Sequence, residues 1–184
     1  MKGMGHDLIR RLVVETRGAE IAETAAVLPV MFTILLGIFW FGQAFSIYGA
    51  ITRAAQEGAR AGSAPYCATC NPASTTLQSV TNAANATQAA LISSQLDPTK
   101  VRYPIPAPAL LSCSSGGAVS CTSGGNSNNF CVQAPIQLTG TGSSGLCGIS
   151  VSFQYPFQFW LPFTSLNNQS IWIAASARVR MENR

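Results

Sequence analysis

Three observations predict an α+β fold. An uncharged run of 29 residues lies near the N-terminus, Thr24 to Thr52. Small and apolar side chains then recur at helical spacing on both sides of a proline-bounded break. Near the C-terminus, apolar and polar residues alternate at the two-residue period of a strand. The expected architecture is a long N-terminal transmembrane helix continuing into a small disulfide-containing domain with a second helix and an antiparallel sheet. The expected boundaries are a basic cytoplasmic leader over 1–18, a transmembrane and amphipathic helix over 19–62, and an extracytoplasmic α+β domain over 63–184.

The uncharged run reads TAAVLPVMFTILLGIFWFGQAFSIYGAIT. A bilayer core needs about 20 apolar residues as a helix, so this run spans with length to spare. Its most lipid-like part is Val27 to Phe45. Pro29 lies inside it, as membrane helices tolerate. The alternative, a cleaved secretory signal, has a shorter apolar region ending in small residues; Trp40-Phe41 is a poor cut site. Lys2, Arg10, Arg11 and Arg17 precede the run, whereas only Arg53 and Arg60 follow before Lys100. That asymmetry puts the N-terminus in the cytoplasm and the bulk of the chain on the far side. The expected location is a bacterial inner membrane, spanned once, with the C-terminal domain periplasmic or extracellular.

The net charge of +4 is modest and sits largely in the leader. No basic patch with interleaved aromatics appears, so no nucleic-acid partner is expected. Asp97 and Glu182 stand apart, which gives no acid–base pair; no enzymatic activity and no cofactor are expected. All six cysteines, Cys67, Cys70, Cys113, Cys121, Cys131 and Cys147, follow the apolar run. Confinement to one side of the membrane fits disulfides in an oxidising compartment. Six cysteines allow 15 connectivities, and spacing does not choose among them.

Ile47, Ile51, Ala54, Ala55, Gly58, Ala59 and Gly62 extend the first helix as an amphipathic continuation ending near Gly62. Pro65 and Pro72 break the chain around Cys67-Ala68-Thr69-Cys70. A second helix is expected from about Ser74 to Leu96, stopped by Asp97-Pro98. Val101–Tyr103 reads as a short strand and Ser112–Asn129, rich in Ser, Gly and Asn, as loop. Phe130–Leu138 is a strand candidate weakened by Pro135. Ile149–Tyr155 alternates as a half-buried strand, and Ile171–Met181 presents Ile171, Ile173, Ala175, Ala177, Val179 and Met181 to one side.

One constellation stands at the membrane edge. Glu23 is the fifth residue after Gly18 and the last charge before the apolar run. A carboxylate beside hydrocarbon is costly and marks a functional candidate. This arrangement resembles the processing site of type IV pilin-like proteins. Beyond it, Leu28-Pro29, Gly37 to Gly42, and Ala54-Ala55-Gln56-Glu57-Gly58-Ala59-Arg60 match, in order, the pattern of the TadE family. Val151–Phe157 and Ala174–Glu182 fit the family's ending. Thr24 stands where members commonly have an aromatic residue. Trp40 and Gln43 flank the Phe-Gly where a charge is usual, and the cysteine-rich 112–147 region does not map onto the family's pattern.

The resemblance implies a pilin-like minor subunit or assembly component of a tight-adherence (Flp-type) pilus, serving assembly, adhesion and secretion. It implies cutting between Gly18 and Ala19 by a prepilin-type peptidase on the cytoplasmic side. Glu23 would then pair with the new amine of a neighbouring subunit. The implied partners are the membrane, other pilin-like subunits, the assembly platform and the peptidase. Two other readings stay open. Cys67 and Cys70 could form a redox dithiol or join a zinc site, although His6 is the only histidine and lies before the span. Alternatively, the Ser/Gly/Asn loop and aromatics near Phe157-Gln158-Phe159-Trp160 could serve an anchored adhesin.

Overall fold

The computed structural model describes residues 16–64, 72–113, 117–121, 129–139, 146–158 and 170–181. It is mixed α+β. Helix α1 covers Thr16–Ser63 and helix α2 Pro72–Ser93, followed by a 3-10 turn at Pro98–Lys100. The strands are β1 (Leu110–Leu111), β2 (Ala118–Val119), β3 (Cys131–Thr139), β4 (Leu146–Gln158) and β5 (Ser170–Arg180). β3, β4 and β5 form an antiparallel sheet in that order, and β1 pairs with β2 in a second small sheet. The chain divides into two compact units, Met1–Gln43 and Ala44–Arg184.

In the first unit α1 is apolar around its whole circumference. Val27, Leu28, Val30, Met31, Phe32, Ile34, Leu35, Leu36, Ile38, Phe39 and Phe41 are all more than half exposed. Mean hydropathy reaches 2.1 over its most apolar window, which is long enough to cross a membrane. Two threonine hydroxyls of this stretch are satisfied within the helix. Thr24 Oγ1 donates to Ile21 O at 3.0 Å and Thr33 Oγ1 to Pro29 O at 2.8 Å. Internal satisfaction is what hydrocarbon demands of a polar group.

The second unit begins with the last turns of α1. Here Ile51, Ala54, Ala55 and Ala59 are fully buried, while Arg53, Gln56, Glu57 and Arg60 stay exposed. These residues pack with Val80, Ala83, Ala84 and Leu91 of α2 and with Val132, Ile149, Val151 and Phe153 of the sheet. Phe130 meets Phe153 edge-on, with ring centroids 5.4 Å apart, a favoured aromatic geometry.

Helix α2 ends earlier than Asp97-Pro98 suggests. Leu96 N donates to Leu91 O and Gln95 N to Ile92 O, both at 2.9 Å, with Gln95 at φ 59°. That bond pair is a Schellman cap, built on glutamine where glycine is usual. Asp97 instead caps the 3-10 turn, its Oδ1 accepting from Thr99 N at 2.9 Å and Thr99 Oγ1 at 2.7 Å. Those hydrogen bonds hold the Asp97 carboxyl below the usual carboxylate range.

Three further expectations change. Of the strand expected at Val101–Tyr103, only Arg102 forms a bridge, to Gln154. The expected loop 112–129 contains β2, which closes on Leu110–Leu111. Strand β4 runs 13 residues and is buried on both faces, with Ser150, Ser152 and Gln154 at 1%, 4% and 8% exposure. Residues before β1 and in β2 lie against the polar face, with Arg102 and Ile105 bonded to Gln154 and Pro108 and Val119 bonded to the neighbouring Gln133, an arrangement alternation alone cannot show. β3 keeps Pro135, and its register with β4 shifts between Gln133 and Ile136, where an edge strand accommodates proline.

Candidate assembly segment and its disulfide-stapled head

Gly18 and Ala19 lie in the first turns of α1. Gly18 is exposed, and a Cβ added there would meet nothing within 4 Å. Glu23 is exposed on a helix face it shares with Val27, Leu28 and Met31. The carboxylate thus stands beside an apolar stripe, where an opposite charge would be its natural partner.

The other end of the same motif works differently. Gly58 and Gly62 are buried against α2. A Cβ on Gly58 would collide with the Thr87 side chain and come within 2.8 Å of Ala83 O. On Gly62 it would lie 2.5 Å from Ile149 Cδ1 and 2.9 Å from Ala83 Cβ and Ser79 O. Small residues four apart let two helix backbones approach this closely. Thr87 keeps its hydroxyl satisfied at the seam by donating to Ala83 O at 2.7 Å. The sequence stripe contained both glycines, but their contact with Ser79, Ala83 and Thr87 depends on a fold-back that periodicity does not report.

Two disulfides staple the covering segment to the sheet. Cys113 bonds Cys147 of β4, with Cα atoms 5.7 Å apart, and Cys121 bonds Cys131 of β3, at 4.7 Å. Cys67 and Cys70 lie outside the described residues. Gln133 adds a polar tether: its Nε2 donates to Pro108 O at 3.0 Å and to Val119 O. Arg102 Nε donates to Gln154 Oε1 at 3.0 Å, and its guanidinium lies 3.5 Å from the centroid of the Trp172 ring. Nothing in the sequence singled out Arg102, Gln133 or Trp172, because their contacts join residues far apart in the chain.

Of the aromatics considered for an adhesin, Phe157 is buried at 4% exposure, its side chain within the head. Phe159 and Trp160 lie outside the described residues. Among the described residues, no group of three or more His, Cys, Asp or Glu comes together to hold a metal ion.

The geometry defines a class: one N-terminal helix able to span a membrane, joined to an α+β head stapled by disulfides. Residues 18–60 match the family model described as TadE-like protein, about a quarter of the chain. The resemblance read from Gly18 to Gly62 is borne out over residues 18–60. The TadE-like segment points to association with a tight-adherence pilus system. No curated protein and no solved structure matches the chain.

Proposed function

We propose that this chain is a pilin-like minor subunit or assembly component of a tight-adherence pilus, inserted with its N-terminus in the cytoplasm and cut between Gly18 and Ala19. The observation that carries the reading is the TadE-like match beginning at Gly18, at the head of a helix whose large apolar residues from Val27 to Phe39 are exposed. The exposure of Gly18, with open space around it, supports a glycine kept for recognition rather than for packing. Four basic residues before the span and disulfides after it support the orientation.

In this reading Glu23 does no chemistry. Cutting frees an α-amine at Ala19, and the carboxylate of Glu23 on one subunit draws that amine from another as their apolar helices pack. The partners are the peptidase, the assembly platform and other pilin-like subunits.

Mass spectrometry of the mature N-terminus, in cells containing a prepilin-type peptidase, tests the reading. The expected product begins at Ala19, and an intact leader rejects processing. Gly18→Leu is expected to abolish cutting. Glu23→Ala is expected to be cut normally but to fail in assembly, read as loss of co-purifying pilin-like subunits.

A further inference from the structure

The sheet β3-β4-β5 has two outer edges, and the chain treats them differently. On β3 the outer side carries Pro135 and a register shift, and the segment between β1 and β2 closes on it: Ser112 bridges to Ile136, and Cys113 N donates to Pro135 O at 3.1 Å. Proline, irregularity and cover are the usual means of stopping an edge from pairing with another chain. β5 has none of them. It pairs with β4 residue for residue from Ser170 to Arg180, without a shift and without proline. No described residue pairs with its other side.

Two backbone contacts show which groups of β5 are left open. Met181 N donates to Cys147 O at 3.0 Å, and Gln154 exchanges both its backbone bonds with Arg102, on the side of β4 away from β5. Along an antiparallel pair such bonding alternates. Ile173, Ala175 and Ala177 therefore bond to β4, whereas Trp172, Ala174, Ser176 and Arg178 turn N–H and C=O outward, with Ser170 and Arg180 at the ends of the row. The open edge is about 34 Å long. Its side chains share one face of the sheet. Trp172 is half-buried at one end, with the Arg102 guanidinium 3.5 Å from its ring centroid. Ala174 and Ser176 are small and exposed in the middle. Arg178 and Arg180 are exposed at the other end and meet no carboxylate among the described residues. Asp97 approaches the sheet through the hydroxyl of Tyr155, which lies in the core on the opposite face, and Thr99 holds its carboxylate.

We propose that the outer edge of β5 is a strand-addition site for an extended segment of another protein, one that carries acidic side chains where it passes Arg178 and Arg180. An extended backbone is the one partner that can bond to every open N–H and C=O of such a row. Those bonds supply affinity, and charge opposite the two arginines selects the partner. A second copy of the chain is the poorer fit. None of its five strands contains Asp or Glu, and its own β5 brings two more arginines. The site lies wholly within the head, so it stands or falls separately from the span, the processing at Gly18 and the pilus reading.

The test uses the full chain in detergent micelles, with amide hydrogen exchange read residue by residue by NMR. The probe is a short synthetic peptide of alternating Thr and Val, with Asp replacing the Thr residues nearest its N-terminus, so that antiparallel docking sets Asp beside Arg178 and Arg180. At saturating peptide, exchange at Trp172, Ala174, Ser176 and Arg178 is expected to slow by at least about tenfold, while the amides already bonded to β4 change little. The same peptide with Lys in place of Asp is expected to give no slowing. Arg178→Glu with Arg180→Glu, changes at exposed positions, is expected to reverse that preference. Ala174→Pro, which removes one outward donor and spares the bonds to β4, is expected to weaken binding of the Asp peptide several-fold. No slowing with the Asp peptide, equal slowing with the Lys peptide, or unchanged preference in the double variant overturns the proposal. So does slowing that grows with protein concentration in the absence of peptide, which assigns the edge to contact between copies.

Discussion

Gln95 holds a left-handed backbone, φ 59°, to let Leu96 N reach Leu91 O. A residue with a Cβ is strained there by about 1–2 kcal/mol, and glycine is not. Gln95→Gly is therefore expected to stabilise the head by about 0.5–1 kcal/mol, since glycine's greater unfolded-state freedom takes back part of the gain. Urea unfolding of the full chain in detergent, followed by head-domain fluorescence, checks it. Unchanged or lowered stability contradicts the strain argument. This cap also shows where sequence reasoning ran out. Asp97-Pro98 is a strong stop signal, but α2 has already closed at Ser93 and Pro98 opens the 3-10 turn instead. With no glycine at the cap, the sequence carried no marker for it. The roles proposed for Gly18 and Glu23 rest instead on spacing along one helix, which needs no tertiary contact.

Among the elements, the seam between α1 and α2 is the most exacting. Gly58 and Gly62 place backbone against backbone, and Ala83 O stands 2.8 Å from any Cβ at Gly58. A backbone atom cannot swing aside as a side chain does. Gly58→Val is expected to destabilise the head by at least about 1–3 kcal/mol, the usual cost of overpacking. A Val at Gly42, where a Cβ meets nothing within 4 Å, is expected to leave head stability unchanged, and parallel urea titrations compare the two. Equal effects would refute the seam. The TadE-like segment thus serves two ends. Its latter part, Ala54 to Arg60, packs into the head, with Glu57 and Arg60 turned outward. Strand β4 tells a related story. Its alternation was plain in the sequence, and its apolar side does face the core. The burial of Ser150, Ser152 and Gln154 was not, since the contacts at this face come from Arg102, Ile105, Pro108 and Val119, distant in sequence.

For the molecule as a whole, the head is held partly by covalent bonds. In the chain-entropy account, closing the 34-residue separation of Cys113–Cys147 contributes about 4 kcal/mol, and the 10-residue separation of Cys121–Cys131 about 3 kcal/mol. Replacing Cys113 and Cys147 by Ala is expected to lower head stability by about 2–4 kcal/mol, and replacing Cys121 and Cys131 by somewhat less. Urea midpoints of the oxidised variants measure both, and a reversed order would show that loop length is not what governs them. The number of cysteines and their side of the span were legible in the sequence. Their pairing required the sheet, because β3 and β4 set Cys131 and Cys147 opposite their partners.

The Cys113–Cys147 bond has a consequence for survival among proteases. Any single cut of the backbone between these two residues produces two pieces that remain one covalent molecule. The stretch at risk includes the Ser-, Gly- and Asn-rich sequence of residues 122–129. A nick there changes the number of chain ends without releasing a fragment, so the two parts of the head stay joined even after the enzyme has acted.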